Sequence, residues 1–343
     1  MEVKLSDIQI APIMNSVFRE KISDEVYFSP KYGGYISNSR LKLINPDQGG
    51  CPSLYQKGFS NNKTQSLYLG SKIHELCLQP EEFSIGPDYG KPNGKLGLVI
   101  DEIIKLRKQH WKAKEAILEA CKRVDYYQGY ITPTRIKSIV KSGYKYYLQA
   151  YHHSNESECL LSTKDRKIVT TCVENLKSKE VQNVLYPTDL FGDAITFYNE
   201  DAFFIDFACK HEDKECIIKF KMKADNWTID LDNKVITLND LKTTGHLANQ
   251  FMEGSWINFH YSRQFSLYLY VLLRYCEKEY GYNSDEYMFK CNVVVVETTG
   301  DNRACVFPIT KEMLEPGRKE FCKLLKMVAY CEMYGYSDDI NFI

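Results

Sequence analysis

The sequence predicts an α/β (α+β) protein, with strands and helices in one chain and a helical insertion before the strands begin. Residues 215–223 and 236–242 alternate between apolar and polar side chains, which is the period of a half-buried strand. Residues 293–296 are four consecutive valines, a pattern typical of a strand buried on both faces. Several segments are predicted to be helical, among them residues 66–79, 256–280 and 311–334.

Length and composition limit the classes of function. The chain has 343 residues, of which 44% are hydrophobic, enough for a sizeable core. Its 44 basic and 45 acidic residues nearly cancel, so a nucleic-acid site must be a local patch or depend on a bound cation. The 12 cysteines include no Cys-x-x-Cys pair, and we find neither a signal peptide nor an apolar run of membrane length. We therefore expect a cytoplasmic protein that does not bind membranes.

The helix over residues 66–79 carries the first candidate residue. It stops before Pro80, and its spacing places Gly70, His74 and Cys77 on one face. Two of these three residues are small, so a ligand or another backbone could approach His74. A buried histidine satisfied by a backbone carbonyl is the alternative, and the sequence leaves both open.

Residues 95–122 and 133–151 are helical and rich in charge, and together they predict a helical insertion over residues 90–151. The second of these helices mixes lysine with tyrosine, which could contact a nucleic-acid backbone. A solvated surface is the favoured interpretation of this mixture. A further amphipathic helix is predicted over residues 165–185.

The β region carries the acidic candidates. A strand over residues 194–209 has Glu200 at a predicted turn or bulge, and Asp225 continues the polar face of residues 215–223. Asp240 and Lys242 lie two residues apart on the next strand, so their side chains project to the same face.

Two carboxylates and one ammonium at one place are costly unless they bind a metal or take part in chemistry. Mg²⁺ and Mn²⁺ prefer carboxylate oxygens, and Mn²⁺ also accepts imidazole. Such a cation with a nearby lysine suits phosphodiester hydrolysis. Taken alone, the pattern is also that of a solvated hairpin with ion pairs.

The helix over residues 256–280 follows the acidic strands. It places Tyr261, Gln264 and Tyr268 at helical spacing. A second stripe on this helix is apolar and is predicted to face the core: Phe265, Leu269, Leu272 and Cys276. Residues 288–297 and 303–309 then predict a β-hairpin, and the last helix runs through Gly317.

Several short motifs in this order resemble one known family. They are Ile36-Ser37-Asn38-Ser39-Arg40-Leu41, Leu69-Gly70-Ser71-Lys72-Ile73-His74-Glu75-Leu76, Gln79-Pro80-Glu81-Glu82-Phe83, Asn199-Glu200, Lys223-Ala224-Asp225, Asp240-Leu241-Lys242-Thr243-Thr244 and Tyr261-x-x-Gln264-x-x-x-Tyr268. The chain resembles the PD-(D/E)xK nuclease superfamily, and within it the exonuclease VIII (RecE)-like branch of phages and prophages, which is related to RecB-type nucleases. The resemblance runs from about residue 35 to residue 335 and implies a restriction-endonuclease-like core with a central mixed sheet flanked by helices.

The resemblance also implies roles. His74, Asp225, Asp240 and the backbone carbonyl of Leu241 would bind Mg²⁺ or Mn²⁺, and Lys242 would be the catalytic lysine. Glu200 would ligate a second metal or hold the site in place. The residues expected to contact DNA are Gln264, Tyr268, Tyr261 and Ser39.

One residue departs from the family pattern, since Ala224 stands where the family name has proline. Some relatives hold an iron–sulfur cluster on four cysteines, and here no cluster is expected. The implied function is exonuclease action on duplex DNA ends, 5′ to 3′, by a homo-oligomer working with a single-strand annealing protein in a bacterial host. A structure-specific endonuclease and a non-catalytic DNA- or partner-binding protein remain alternatives, and residues 1–343 are expected to form a single nuclease-like domain.

Overall fold

A computed structural model describes residues 2–58, 64–80, 91–126, 132–155, 161–188, 192, 195–283 and 285–343. Two compact units make up the chain. We call them the sheet unit (Met1–Asn61, Ile73–Glu82 and Thr170–Ile343) and the helical unit (Asn62–Lys72 and Phe83–Val169). The expectation of a single domain stays a prediction. Glu81, Glu82 and Phe83 of the family motifs lie outside the described residues, as does Gly90, where the helical insertion was expected to begin.

A six-stranded mixed sheet forms the centre of the sheet unit. The strands of the chain are β1 Glu2–Val3, β2 Gln9–Glu20, β3 Thr196–His211, β4 Lys214–Asp230, β5 Val235–Thr244, β6 Met288–Glu297, β7 Ala304–Pro308 and β8 Asn341–Phe342. The central order is β2-β3-β4-β5-β6-β7, while β1 and β8 form a separate pair. Only β5 and β6 run parallel within the central sheet. The predicted α/β class, with a mixed sheet flanked by helices, is confirmed.

Helices account for most of the remaining described chain. They are α1 Asp24–Tyr27, α2 Asn38–Leu41, α3 Pro52–Lys57, α4 Gln65–Leu78, α5 Lys95–Lys108, α6 Ala113–Arg123, α7 Thr132–Asn155, α8 Thr163–Leu176, α9 Lys179–Leu185, α10 Ser255–Asn258, α11 Tyr261–Tyr280 and α12 Lys311–Tyr334. Across the part of the chain described, we see no helix with the length and apolar character needed to cross a bilayer.

Three helices predicted as continuous are each broken in two. His110 and His260 adopt left-handed backbone angles, with φ of 64° and 54°. His110 separates α5 from α6, and His260 separates α10 from α11. A left-handed residue cannot continue a right-handed helix. The predicted helix over residues 165–185 is likewise divided into α8 and α9. Sequence analysis also missed β2, because Pro12 and polar residues interrupt its alternation.

The helices α11 and α12 pack closely against each other in the sheet unit. The predicted apolar stripe of α11 is buried, with Phe265, Leu269 and Leu272 at most 5% exposed. A Cβ atom on Gly317 of α12 would lie 2.0 Å from the backbone of Ser262 in α11. Glycine is therefore required where the two helices cross, next to the end of α11 that carries Gln264.

The helical unit has a separate core. Side chains of α5, α6 and α7 form it, including Leu106, Ala116 and Ile139. Gly143 of α7 lies against α5, since a Cβ there would be 2.5 Å from Cδ1 of Ile100.

Candidate metal and catalytic site

The two acidic strand positions lie where β4 and β5 stop pairing. Their backbone ladder ends with Asn226 opposite Asn239. Asp225 and Asp240 come next on the two strands. Here the backbone-to-backbone hydrogen bonds stop, and the Leu241 N–H instead donates to Oδ2 of the Asp225 side chain over 2.7 Å. The end of the ladder therefore leaves both carboxylates at the same position along the sheet.

Three side chains converge at this point. His74 on α4, Glu200 on β3 and Asp225 on β4 each offer a ligand atom, and these atoms lie within 4.8 Å of one another. Nδ1 of His74 is 3.6 Å from Oδ2 of Asp225, and the two side chains are 24% and 16% exposed. His74 thus faces a carboxylate and retains access to solvent, in contrast to the buried-histidine alternative.

Glu200 is held in an unusual backbone conformation. Its φ is 56°, although β3 pairs with β4 in unchanged register on either side of it. The predicted turn or bulge is therefore a single left-handed residue inside a continuous strand. A left-handed non-glycine residue in a strand stores strain, and such residues cluster at functional sites.

Lys223 fixes the carboxylate of Glu200, and sequence analysis missed this role. Nζ of Lys223 lies 2.9 Å from Oε2 of Glu200 and 2.6 Å from Oδ1 of Asp24. Lys223 shares its strand face with Lys219 and Lys221, so alternation alone did not distinguish it. The signal that could have found it is its place two residues before Asp225.

The electrostatics of the group favour a cation. Burial, and then the negative charge of Asp240, raise the pKa of Asp225 to about 7. Burial, and then the charge of Asp225, also raise the pKa of Glu200. Burial, and then the charge of Lys242, lower the pKa of His74, which keeps its imidazole neutral and able to bind a metal. One imidazole and two crowded carboxylates are a donor set that fits Mn²⁺ or Mg²⁺.

Asp240 and Lys242 form a second cluster beside the first. The Lys242 ammonium is paired with Oδ2 of Asp240, and Gln264 Nε2 donates to Oδ1 of Asp240 over 3.0 Å. Nζ of Lys242 also lies 5.2 Å from the centre of the Tyr261 ring. Burial lowers the pKa of Lys242, but the charges of Asp240 and Asp225 outweigh it and raise the pKa above its usual value. Lys242 therefore remains a cation throughout the physiological pH range.

The remaining predicted residues differ in their proximity to the site. Burial, and then nearby groups that include Asp240 and Asp225, raise the pKa of Tyr268, so its hydroxyl lies within their field. Ser39 is exposed on α2, and among the described residues no hydrogen bond joins its side chain to the site. Its neighbour Asn38 accepts a hydrogen bond from Nε of Arg263 over 3.0 Å. The roles of Ser39 and of the Leu241 carbonyl stay predictions.

A row of asparagines crosses the sheet one residue away from the acidic row, and we call it the asparagine ladder. Its members occupy paired positions on four adjacent strands: Asn199, Asn226, Asn239 and Asn292. The amide nitrogens of Asn226, Asn239 and Asn292 each donate to the oxygen of the asparagine on the preceding strand, over 2.7–2.9 Å.

The first rung of the ladder reaches the helix that carries His74. Nδ2 of Asn199 donates to the carbonyl of Leu78, the last residue of α4, over 3.0 Å. Asn226 and Asn239 donate to the carbonyls of Leu185 and Val184 at the end of α9. The ladder thereby ties the register of the strands to the helices beside them.

Comparisons with known proteins give little guidance. No family model matches the chain, and no curated protein matches it. Among solved structures, one named "Putative exonuclease" from Eubacterium rectale aligns over 90% of this chain and 86% of its own, with 9% identity and a TM-score of 0.41. A similarity of that size carries no argument about fold or function.

Proposed function

We propose that this protein is a metal-dependent DNA exonuclease that hydrolyses phosphodiester bonds at the ends of duplex DNA. The observation that carries the proposal is the convergence of His74, Glu200 and Asp225, with the Lys242 ammonium held by Asp240 beside them. The order of motifs that resembles the PD-(D/E)xK nucleases supports it.

His74, Glu200 and Asp225 would hold one Mg²⁺ or Mn²⁺. When bound, such a cation polarises a phosphodiester and lowers the pKa of a bound water. The raised pKa values of the two carboxyls supply the physical reason for binding, because a cation relieves their mutual repulsion. Lys223 would keep the Glu200 carboxylate turned towards its neighbours through their 2.9 Å ion pair.

Lys242 would stabilise the negative charge that develops on the phosphate oxygens. In hydrolysis the water oxygen forms a bond to phosphorus, the bond to the leaving sugar oxygen breaks, and that oxygen takes a proton. A preorganised ammonium is worth most where solvent is excluded, and the Lys242 side chain is 15% exposed. Asp240 and Gln264 would fix its position, since Gln264 holds one oxygen of Asp240 and Lys242 the other.

The nature of the substrate rests on the resemblance. Tyr261, Gln264, Tyr268 and Ser39 would contact the DNA strand, and digestion from a duplex end, 5′ to 3′, is the activity the resemblance favours. A homo-oligomer and a single-strand annealing partner belong to the same proposal. Asp240 and the Leu241 carbonyl would contribute to metal binding as the resemblance implies.

Cleavage of matched linear and circular DNA tests the proposal. The protein is incubated with Mn²⁺, Mg²⁺ or EDTA, and with one duplex supplied either end-labelled and linear or covalently closed. We expect metal-dependent release of mononucleotides from the linear form alone. Cutting of the closed circle would instead identify an endonuclease. Binding of DNA with no cleavage in either metal would identify a non-catalytic protein.

A further inference from the structure

We infer that the exposed face of α7 in the helical unit is a binding surface for the phosphate backbone of duplex DNA. The first observation is charge. The helical unit has 18 basic and 9 acidic residues, a formal charge of +9, whereas the sheet unit has 26 basic and 36 acidic residues, a formal charge of −10. The near-neutral total therefore conceals a strongly basic unit of the kind that attracts nucleic acid.

Of the described helices in the helical unit, α7 carries the largest net positive charge, +4. Residues 126–155 contain no aspartate or glutamate, but they contain four basic residues and seven tyrosines. Elsewhere in the unit, acidic residues neutralise their neighbours: Asp101 pairs with Lys91, and Glu102 with Arg123. Among the described residues, no ion pair engages Lys137 or Lys141 of α7. Within the described part of the chain, the positive charges of Lys137 and Lys141 are therefore not cancelled by ion pairs.

The lysines of α7 lie on one exposed stripe. Lys137, Lys141 and Lys145 are spaced four residues apart and are all exposed, and Tyr144 between them is 50% exposed. Four residues of helix rise about 6 Å, whereas phosphates recur about every 3.4 Å along each DNA strand. Successive lysines can therefore each meet a different phosphate, and a tyrosine hydroxyl is a further phosphate donor.

The opposite face of α7 packs into the core of the helical unit. Ile139 and Ala150 are buried in the core of the helical unit, and Gly143 lies against Ile100. A membrane-bound helix must insert a broad apolar face. Among the described side chains of α7, the large apolar groups that are exposed are Val140 and Tyr144. The geometry of the helix therefore favours a backbone of phosphates over a lipid surface.

Duplex DNA is named as the partner because this inference rests on the proposed function for its substrate. The test measures binding without cleavage, so the binding surface on α7 and the proposed nuclease activity can fail independently.

A fluorescein-labelled blunt duplex of about 30 base pairs is titrated with the full-length protein in EDTA, and anisotropy is recorded at several salt concentrations. Lys137→Gln/Lys141→Gln is compared with Lys319→Gln/Lys323→Gln, which removes two exposed lysines at the same spacing from α12.

We expect the α7 variant to bind the duplex about tenfold more weakly at 0.1 M salt. A plot of the log of its binding constant against log salt should be shallower, with the magnitude of the slope smaller by about 2. The α12 variant should stay within about twofold of the wild type. Equal losses in the two variants would overturn the inference. So would wild-type protein that binds vesicles of anionic phospholipid but not the duplex. Circular dichroism verifies folding, and Lys141→Glu alone should reproduce the direction of the effect.

Discussion

The sheet unit and the helical unit use charge in opposite ways. In the sheet unit, acidic residues are in excess and a few of them are buried or half-buried, so that Glu200 and Asp225 face each other with raised pKa values. In the helical unit, basic residues are in excess and face outwards along α7. The difference teaches that net charge is informative only for a unit that folds around its own core. Changes in the sheet unit should thus alter metal binding and chemistry, while changes in α7 should alter DNA affinity.

The largest expected effect is that of Lys242→Ala. Removal of the ammonium should lower the rate of DNA cleavage by about 10²–10³-fold, because charge developing on the phosphate loses its preorganised partner. Single-turnover cleavage at saturating protein measures the chemical step. Duplex affinity in EDTA should remain near that of the wild type.

Lys290→Ala is the matched control, since Lys290 is an exposed lysine on the neighbouring strand β6. It should cleave at the wild-type rate. Retained turnover in Lys242→Ala would refute the role assigned to Lys242 and would break the contrast between the two units.

His74→Ala should weaken Mn²⁺ binding by about 10–100-fold, because one of three converging ligands is lost. Isothermal titration calorimetry of the folded protein gives the affinity. The melting temperature without metal should change little, since His74 keeps access to solvent. A large fall in that temperature, with Mn²⁺ affinity unchanged, would support the buried-histidine interpretation.

Metal affinity should rise with pH in the range around neutrality. A cation displaces protons from carboxyls whose pKa values are raised, to about 7 for Asp225. Below that pH, each unit of acidification should cost up to about tenfold in affinity for each proton displaced. Calorimetry at pH 6, 7 and 8 tests this, and an affinity independent of pH would contradict the assigned ligands.

The raised pKa of Asp225 should make the metal-free protein less stable as the pH rises, whereas metal affinity should increase. Its folded state binds protons at Asp225 more tightly than the unfolded chain, so this group contributes stability below pH 3.8 that is lost as the pH rises through about 7. Mn²⁺ should therefore raise the melting temperature more at pH 8 than at pH 6. Thermal melts with and without Mn²⁺ at both pH values measure the difference.

The smallest expected effect concerns the asparagine ladder. Asn199→Ala removes the hydrogen bond to the end of the His74 helix and should weaken Mn²⁺ binding several-fold. Asn292→Ala removes a rung from the other end of the ladder and should leave that affinity unchanged. In a His74→Ala background, Asn199→Ala should have no further effect on affinity. Additive losses would show that Asn199 does not act through His74.

The sequence predicted the α/β class because alternation on β4 and β5 and the valines of β6 are strong local signals. It also proposed His74, Glu200 and Asp225, which the fold brings together. It did not indicate that Asp240 lies outside that group of three. Asp240 is instead bonded to Gln264 and Lys242. Such partners are chosen by tertiary packing, which local periodicity does not record.

Other features depended on single backbone angles. The breaks at His110 and His260 and the left-handed Glu200 each reverse φ at one residue, and none is a glycine. Turn chemistry favours glycine or asparagine at such positions, so the two histidines gave no signal, and Glu200 was predicted as a turn or bulge rather than as a left-handed residue within a strand. Lys223 was equally hidden, because its contact with Asp24 joins residues 199 positions apart.

The asparagine ladder also has a consequence for how the sheet is assembled. A shift of one residue between two neighbouring strands would turn the side chains of one strand to the opposite face and break the hydrogen bond of the ladder that joins the pair. Asn226 and Asn239 are fully buried, and an unpaired buried amide costs about 1–3 kcal/mol. A sheet with a mispaired strand would therefore be less stable than the native sheet. The same row of amides therefore favours the native register of the sheet and, with it, the alignment of Glu200, Asp225 and Asp240.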